Sequence, residues 1–501
     1  MDFTEIYKQT SNLVAFSPGA HFILTAVQDR LIIRRADTFQ IERTWLVDTS
    51  PTATLAALTK SKPGTSNAAI SSGWITHIGW SCDSEYLMAA CAKIGAVNVF
   101  KIRDETWTAR IESGAEGLVR AEWAPDGRSI LCFSEWGLRV TVWSLVTGTA
   151  TYIQYPIHPD RGILALSYST KYEVNQSPLV GYTFRADGRY FVLAERHKSK
   201  ETLGVYDASD SYKLARHFSL PTTSLASLSL SPTGNHLAIW EGPLEYKLHI
   251  LTLVGESLAL FTPDPDPGLG IRCVSWHPSG SFIAVGGWDD KIHILHNLTW
   301  SAVATLELQS RIPTEVTIWR EPNNWLDSTE GRGFLSYERS QGPQSISLTR
   351  ADSSKPNPKS GAVQLGWSRK GSYLLVRFES VPTMIHLFSF PSATEDFYPK
   401  LHSVLIHSRP VLQARWNPER NGRLATCCGT KALFTWSDEW ISEGGGEEEM
   451  AECIGVPAQK FDVRDLKWAP DGKGLVLVDK DGFCCAFEVE DDGDGDAVVN
   501  E

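Results

Sequence analysis

A chain of 501 residues, 42% apolar and 21% charged, has the composition of a globular protein with a large core, and its 18 tryptophans are a heavy aromatic load. The formal net charge of −12 excludes a protein whose main surface is a basic stripe for a phosphate backbone, though it leaves room for a local basic patch. Residues 1–10 are polar and charged and no apolar run approaches the length of a spanning helix, so the sequence predicts a cytoplasmic protein without a membrane span.

In chain order, the elements repeat. Residues 123–145, WAPDGRSILCFSEWGLRVTVWSL, show the unit best. Trp123 ends a strand, Pro125-Asp126-Gly127 turns it, 129–135 forms the next strand, 139–145 the third and 151–155 the fourth. The anchor, an aromatic residue or leucine followed by a turn that usually holds Gly, recurs at Phe16, Trp80, Trp123, Phe184, Leu230, Trp276, Trp367, Trp416 and Trp468. Five of the eight spacings lie between 43 and 52 residues, and the other three are 61, 64 and 91. Four short antiparallel strands in about 45 residues are the unit of a β-propeller. The fold class is therefore all-β, a WD40-type propeller of about nine units, most simply one large closed ring; the alternative is two smaller propellers.

The repeats are expected over residues 1–490, with insertions at 49–72, 156–179, 311–360 and 441–456 and an acidic flexible tail at 491–501. Residues 311–360 carry no anchor turn, so an insertion is preferred there over a degenerate tenth blade. The last unit supplies only three strands, and residues 3–7 at the other end of the chain form a strand-like piece. They are expected to complete the last blade and remove its open edge.

Chemistry is sparse. The nine cysteines lack the spacing of a zinc site and read as reduced, buried small hydrophobes. No glycine-rich phosphate loop, His-Glu-x-x-His helix or Gly-x-Ser-x-Gly elbow occurs. The sequence predicts no catalytic, cofactor-binding or metal-binding residue, and so no enzyme. Binding is the default task. The loops between second and third strands fall on one face of a propeller, and here they hold Glu135 and Trp136, Glu195 and Arg196, Tyr246, and Trp288 and Asp289. Aromatic residues beside charges are the usual composition of an interface. The bland alternative is that Trp136, Tyr246 and Trp288 merely cap the ring core.

The stretches GLVRAEWAPDG, LRVTVWSL and TYIQYP within residues 117–156 resemble the centrosomal and spindle-pole family called WD-repeat protein eight. The resemblance continues through DGRYFVLAER (187–196), LARHF (214–218), LEYKLHIL (244–251) and FIAVGGWDDKIHILHNLTW (282–300), and begins near FTEIYK (3–8). It implies a non-enzymatic scaffold at a microtubule-organising centre, the centrosome or spindle pole body. Its implied partner is a coiled-coil protein that anchors microtubule minus ends, joined in fungi by a minus-end-directed kinesin; nucleic acid and membrane are not implied. No family residue is carried over as a ligand. The partner's helical segment is expected on the face with Trp136, Tyr246 and Trp288, where reversing Glu135, Glu195 and Asp289 together should abolish binding. A runner-up is a translation- or RNA-associated propeller scaffold, and an enzyme with its site in the central channel is a third reading.

Overall fold

Every anchor residue ends the first strand of a four-stranded antiparallel sheet, and the tryptophans among them show why that position is aromatic. The indole Nε1 of Trp123 donates to the Gly79 carbonyl at 3.0 Å, on the first strand of the preceding sheet. Trp80 does the same to Ala15 (3.2 Å), Trp276 to Ser229 (3.4 Å), Trp367 to Ser275 (3.2 Å), Trp416 to Gly366 (2.9 Å) and Trp468 to Arg415 (3.0 Å). Each of these six tryptophans thus ties its sheet to the one before it. The turn that follows is equally local in origin: Asp126 Oδ1 accepts from the Arg128 and Ser129 amides at 2.9 and 2.8 Å. Gly127 sits at φ +64°, where a Cβ would also lie 2.8 Å from Cys82 Sγ, so glycine is required there.

The computed structural model describes residues 1–50, 73–157, 181–349, 359–391, 398–441, 447–458 and 460–487. They form one nine-bladed propeller. Blades 1 to 8 span residues 14–46, 77–112, 120–154, 182–219, 225–261, 271–307, 362–406 and 413–455; blade 9 spans 465–487 and takes its outer strand from residues 2–8. First strands of neighbouring blades touch near the axis, while fourth strands such as Lys213–Ser219 are almost wholly exposed. Strand alternation sends successive side chains to opposite neighbours. In Ser129–Phe133, Ile130 and Cys132 pack toward blade 2, and Leu131 and Phe133 toward blade 4. The core is accordingly a set of interfaces between consecutive blades, and the ring closes where Val14 and Ile23 of blade 1 meet Val476, Val478 and Phe483 of blade 9.

At that closure Asp2–Phe3 pairs with Phe487 and Ala486, and Tyr7–Lys8 pairs with Phe483 and Gly482, both antiparallel. The chain between blades 6 and 7 is neither a plain loop nor a tenth blade. Thr317–Arg320 runs parallel to the outer strand of blade 7, Lys400–Ile406, and Glu338–Gln341 adds outside it as a sixth strand. Phe334–Ser336 adds a fifth strand to blade 8. This strap buries Trp319, Trp325 and Tyr337 against both blades. The stretch expected as an insertion at 441–456 is corrected in the same region. Glu447–Gly455 is the outer strand of blade 8, with Ala451 and Cys453 facing blade 7 and Ile454 facing blade 9. Its Gly and Glu composition hides that alternation. The expected insertions at 49–72 and 156–179 and the tail at 491–501 fall wholly or mostly outside the described residues.

Candidate interaction rim on blades 3 and 4

Strands alternate in direction, so the connections between second and third strands share one face with the connections between blades. On blades 3 and 4 three such segments are joined by backbone. The Tyr155 amide donates to the Leu138 carbonyl at 3.0 Å, the Arg196 amide donates to the Tyr155 carbonyl at 2.9 Å, and Pro156 bridges to Glu195. The turn Glu135–Gly137, the Tyr155-Pro156 corner and the strand end at Glu195-Arg196 are therefore one surface.

That surface is apolar and strained. Trp136 is 77% exposed at φ +63°, ψ 15°, and Tyr155, also exposed, sits at φ +59°. Left-handed backbone at a bulky residue costs roughly 1–2 kcal/mol, and such costs gather at functional positions. Leu138 and Tyr152 are exposed beside them, with the Arg139 guanidinium 4.5 Å from the Tyr152 ring centre. On the blade 2 side of blade 3 a cleft of about 230 Å³ opens at Tyr152, lined by Cys132, Thr141 and Trp143 of blade 3 and by Glu112 and Glu116 from the end of blade 2 and the connection that follows it.

Blade 4 adds a finger. Its second and third strands, Tyr190–His197 and Lys200–Asp207, are each eight residues long, whereas second strands elsewhere in the ring have five or six. Two further residues per strand raise the hairpin tip by about 7 Å. The tip is a two-residue turn in which Lys198 (φ +49°) and Ser199 (φ +63°) both hold the left-handed conformation that such hairpins usually give to Asn-Gly. The His197 ring stacks on Tyr155 at 4.6 Å between centroids. Residues 196–200, RHKSK, are all exposed. The finger's root is fixed by Glu201, which is buried, pairs with Arg196, and accepts from the Leu225 amide of blade 5 at 2.9 Å.

The sequence-predicted residues divide. Trp136 and Arg196 are exposed in this rim, and Glu135 is half-buried beside them. Glu195 is brought to the same place but turned inward: it accepts from Tyr206 Oη and lies 3.1 Å from His217 Nε2, and burial beside this carboxylate raises the Tyr206 pKa. The expected helix contact at Tyr246 and Trp288 does not fit. Tyr246 is 1% exposed, set edge-on against Phe261 and His293, with its hydroxyl pKa pushed well up by burial. Trp288 lies under the Arg272 guanidinium, 4.1 Å from its ring centre, and Arg272 pairs with Glu379 of blade 7. Asp289 is half-buried, and its carboxyl is raised above the ordinary range by desolvation. These three serve the joints between blades 5, 6 and 7. Sequence reasoning missed Leu138, Tyr152, Tyr155, Lys198 and Lys200; the basic run at the end of an over-long strand was the available signal.

Among the described residues no group of three His, Cys, Asp or Glu side chains is placed to hold a metal ion, and no helix is long and apolar enough to cross a membrane. A cleft of about 900 Å³ between blades 8 and 9 is lined by residues such as Phe3, Phe334, Arg423 and Trp436, with no His, Cys or Lys among its described lining residues. Eight of the nine cysteines are buried, and burial raises thiols such as Cys91, to about 11.

The fold and rim define a scaffold-type propeller whose chemistry is that of contact. The chain belongs to the WD-repeat protein family. It is 30% identical to the mouse (Mus musculus) WD repeat-containing protein WRAP73 over 97% of this chain and 96% of that protein. It is 22% identical to an uncharacterised WD repeat-containing protein of Schizosaccharomyces pombe, covering 82% and 80%. Residues 259–295 match the model for the WD domain, G-beta repeat. Among solved structures, the C-terminal WD40 domain of Sif2 superposes with a TM-score of 0.47 at 11% identity, over 91% of this chain and 99% of that one.

Proposed function

We propose that this chain is a non-enzymatic scaffold of the microtubule-organising centre, holding a coiled-coil protein that anchors microtubule minus ends and so helping to organise the mitotic spindle. The observation that carries a docking role is the rim of blades 3 and 4, where Trp136 and Tyr155 are exposed on backbone that opposes their own preference. A rigid ring can present such a rim to a helical segment while its other faces remain available to the pole. The placement at the spindle pole, in the cytoplasm and cytoskeleton, rests on the family resemblance of residues 117–156 and 187–300. A minus-end-directed kinesin is a further member of the proposed complex. The test is affinity purification of the tagged full-length chain at low salt, with identification of stoichiometric partners. Recovery of a coiled-coil minus-end protein is expected; ribosomal or initiation factors in its place would move the chain to the translation-associated reading.

A further inference from the structure

We infer that the rim of blades 3 and 4 takes an acidic segment carrying one large apolar side chain, the carboxylates meeting the Arg196–Lys200 finger and the apolar group entering the cleft beside Tyr152. This rests on the docking role proposed for the same rim and specifies the chemistry of what docks.

Charge supplies the first argument. The chain is acidic overall, at −12, yet the tip of its most protruding second-to-third-strand hairpin carries Arg196, His197, Lys198 and Lys200 within five residues. Arg196 is engaged by Glu201. Among the described residues neither Lys198 nor Lys200 has a carboxylate within ion-pair range. Two lysines held out on a raised turn are poised for carboxylates from outside. Lys198 also occupies a backbone conformation that Asn or Gly would adopt at less cost, so its side chain is retained against local stability.

The second argument is shape. The cleft of about 230 Å³ at Tyr152 suits one side chain rather than a helix face. Its apolar wall is Cys132, Trp143 and Tyr152, and Trp136 and Tyr155 stand exposed on the same surface as the finger. A large aliphatic or aromatic group buried there leaves water for an apolar wall, which favours binding. Glu116, which also lines the cleft, is neutralised by Arg139, so the acidic residues of the segment fall toward the finger and away from Glu112. Single-stranded nucleic acid is the weaker match. It asks for a groove of cations tracking several successive phosphates, and this finger offers a single cluster in an acidic protein.

The experiment is selection from a displayed library of random 16-residue peptides on the full-length protein, repeated on Lys198→Glu with Lys200→Glu and on Trp136→Ala. Enrichment of Asp and Glu around one Leu, Ile, Phe or Trp is expected. The selected peptides should bind the double lysine variant about tenfold more weakly, and lose affinity as salt rises through the physiological range. Enriched peptides without acidic residues that still depend on Trp136 would overturn the acidic chemistry while keeping the docking role. Peptides indifferent to all three substitutions would overturn both. A 16-nucleotide oligouridine bound more tightly than the selected peptides would replace the acidic segment with nucleic acid.

Discussion

The rims of blades 3–4 and of blades 7–8 are built from the same repeat and have been finished in opposite ways. At blades 7–8 the inserted strap covers the outer strands and brings polar groups into full burial with partners. Glu321 accepts from Trp325 Nε1 at 2.9 Å and from the Ser408 amide at 2.6 Å, and Tyr337 Oη meets His407 Nδ1 at 3.1 Å. At blades 3–4 none of the described residues forms such a cover. Aromatic residues stay in solvent, four non-glycine residues hold left-handed backbone, and the cations point outward. The strapped rim converts sequence into stability, and the bare rim keeps side chains that stability alone would not select.

The largest expected difference is therefore between two tryptophans, one under the strap and one on the exposed rim. Trp325→Ala, under the strap, should cost about 3–5 kcal/mol in a denaturant midpoint measurement, whereas Trp136→Ala should change stability by less than about 0.5 kcal/mol. Equal costs would erase the contrast between the rims. Removal of residues 1–8 unpairs the outer strand of blade 9 and strips Tyr7 from Phe483, so it should lower stability by about 3 kcal/mol or more; removal of 488–501 should not.

A second contrast is in pH. Burial lowers the pKa of His386 to about 4 and, with the Arg377 charge adding to it, that of His407 to about 3. Both histidines are neutral in the fold and bind protons more readily once unfolded. The stability they represent is present above pH 6.5 and is lost as pH falls from there toward the folded values. Between pH 7.5 and 5 each should contribute a loss of about 2 kcal/mol, read as a falling denaturant midpoint. His386→Gln should flatten that limb. The smallest effect sharpens the reading of the finger: Ser199→Gly, at φ +63°, should stabilise by about 0.5–1 kcal/mol.

The repeat was legible in the sequence because its anchor does a local job at every blade. An aromatic at the end of eight of the nine first strands and a turn glycine at positive φ in seven of the nine blades follow from packing and sterics that recur around the ring. The strap was not legible, since strands of two to four residues that pair with strands 80 to 120 positions away leave no period to read. Glu447–Gly455 was hidden by composition, its buried Ala451 and Cys453 being too small to mark an apolar face against four glutamates. In the rim, residue type identified Trp136 and Arg196 but could not separate them from Tyr246, because exposure is set by the neighbouring blade. Phe261 and His293 close over Tyr246, whereas Trp136 keeps 77% of its surface exposed.

The most direct measurement is hydrogen–deuterium exchange on the full-length chain, alone and with its stoichiometric partner. Protection on binding is expected at residues 134–138, 152–156 and 195–200, three segments far apart in sequence and adjacent on the rim. Protection confined to residues 242–247 and 288–290, or to the outer strands of blades 7 and 8, would contradict docking at the bare rim.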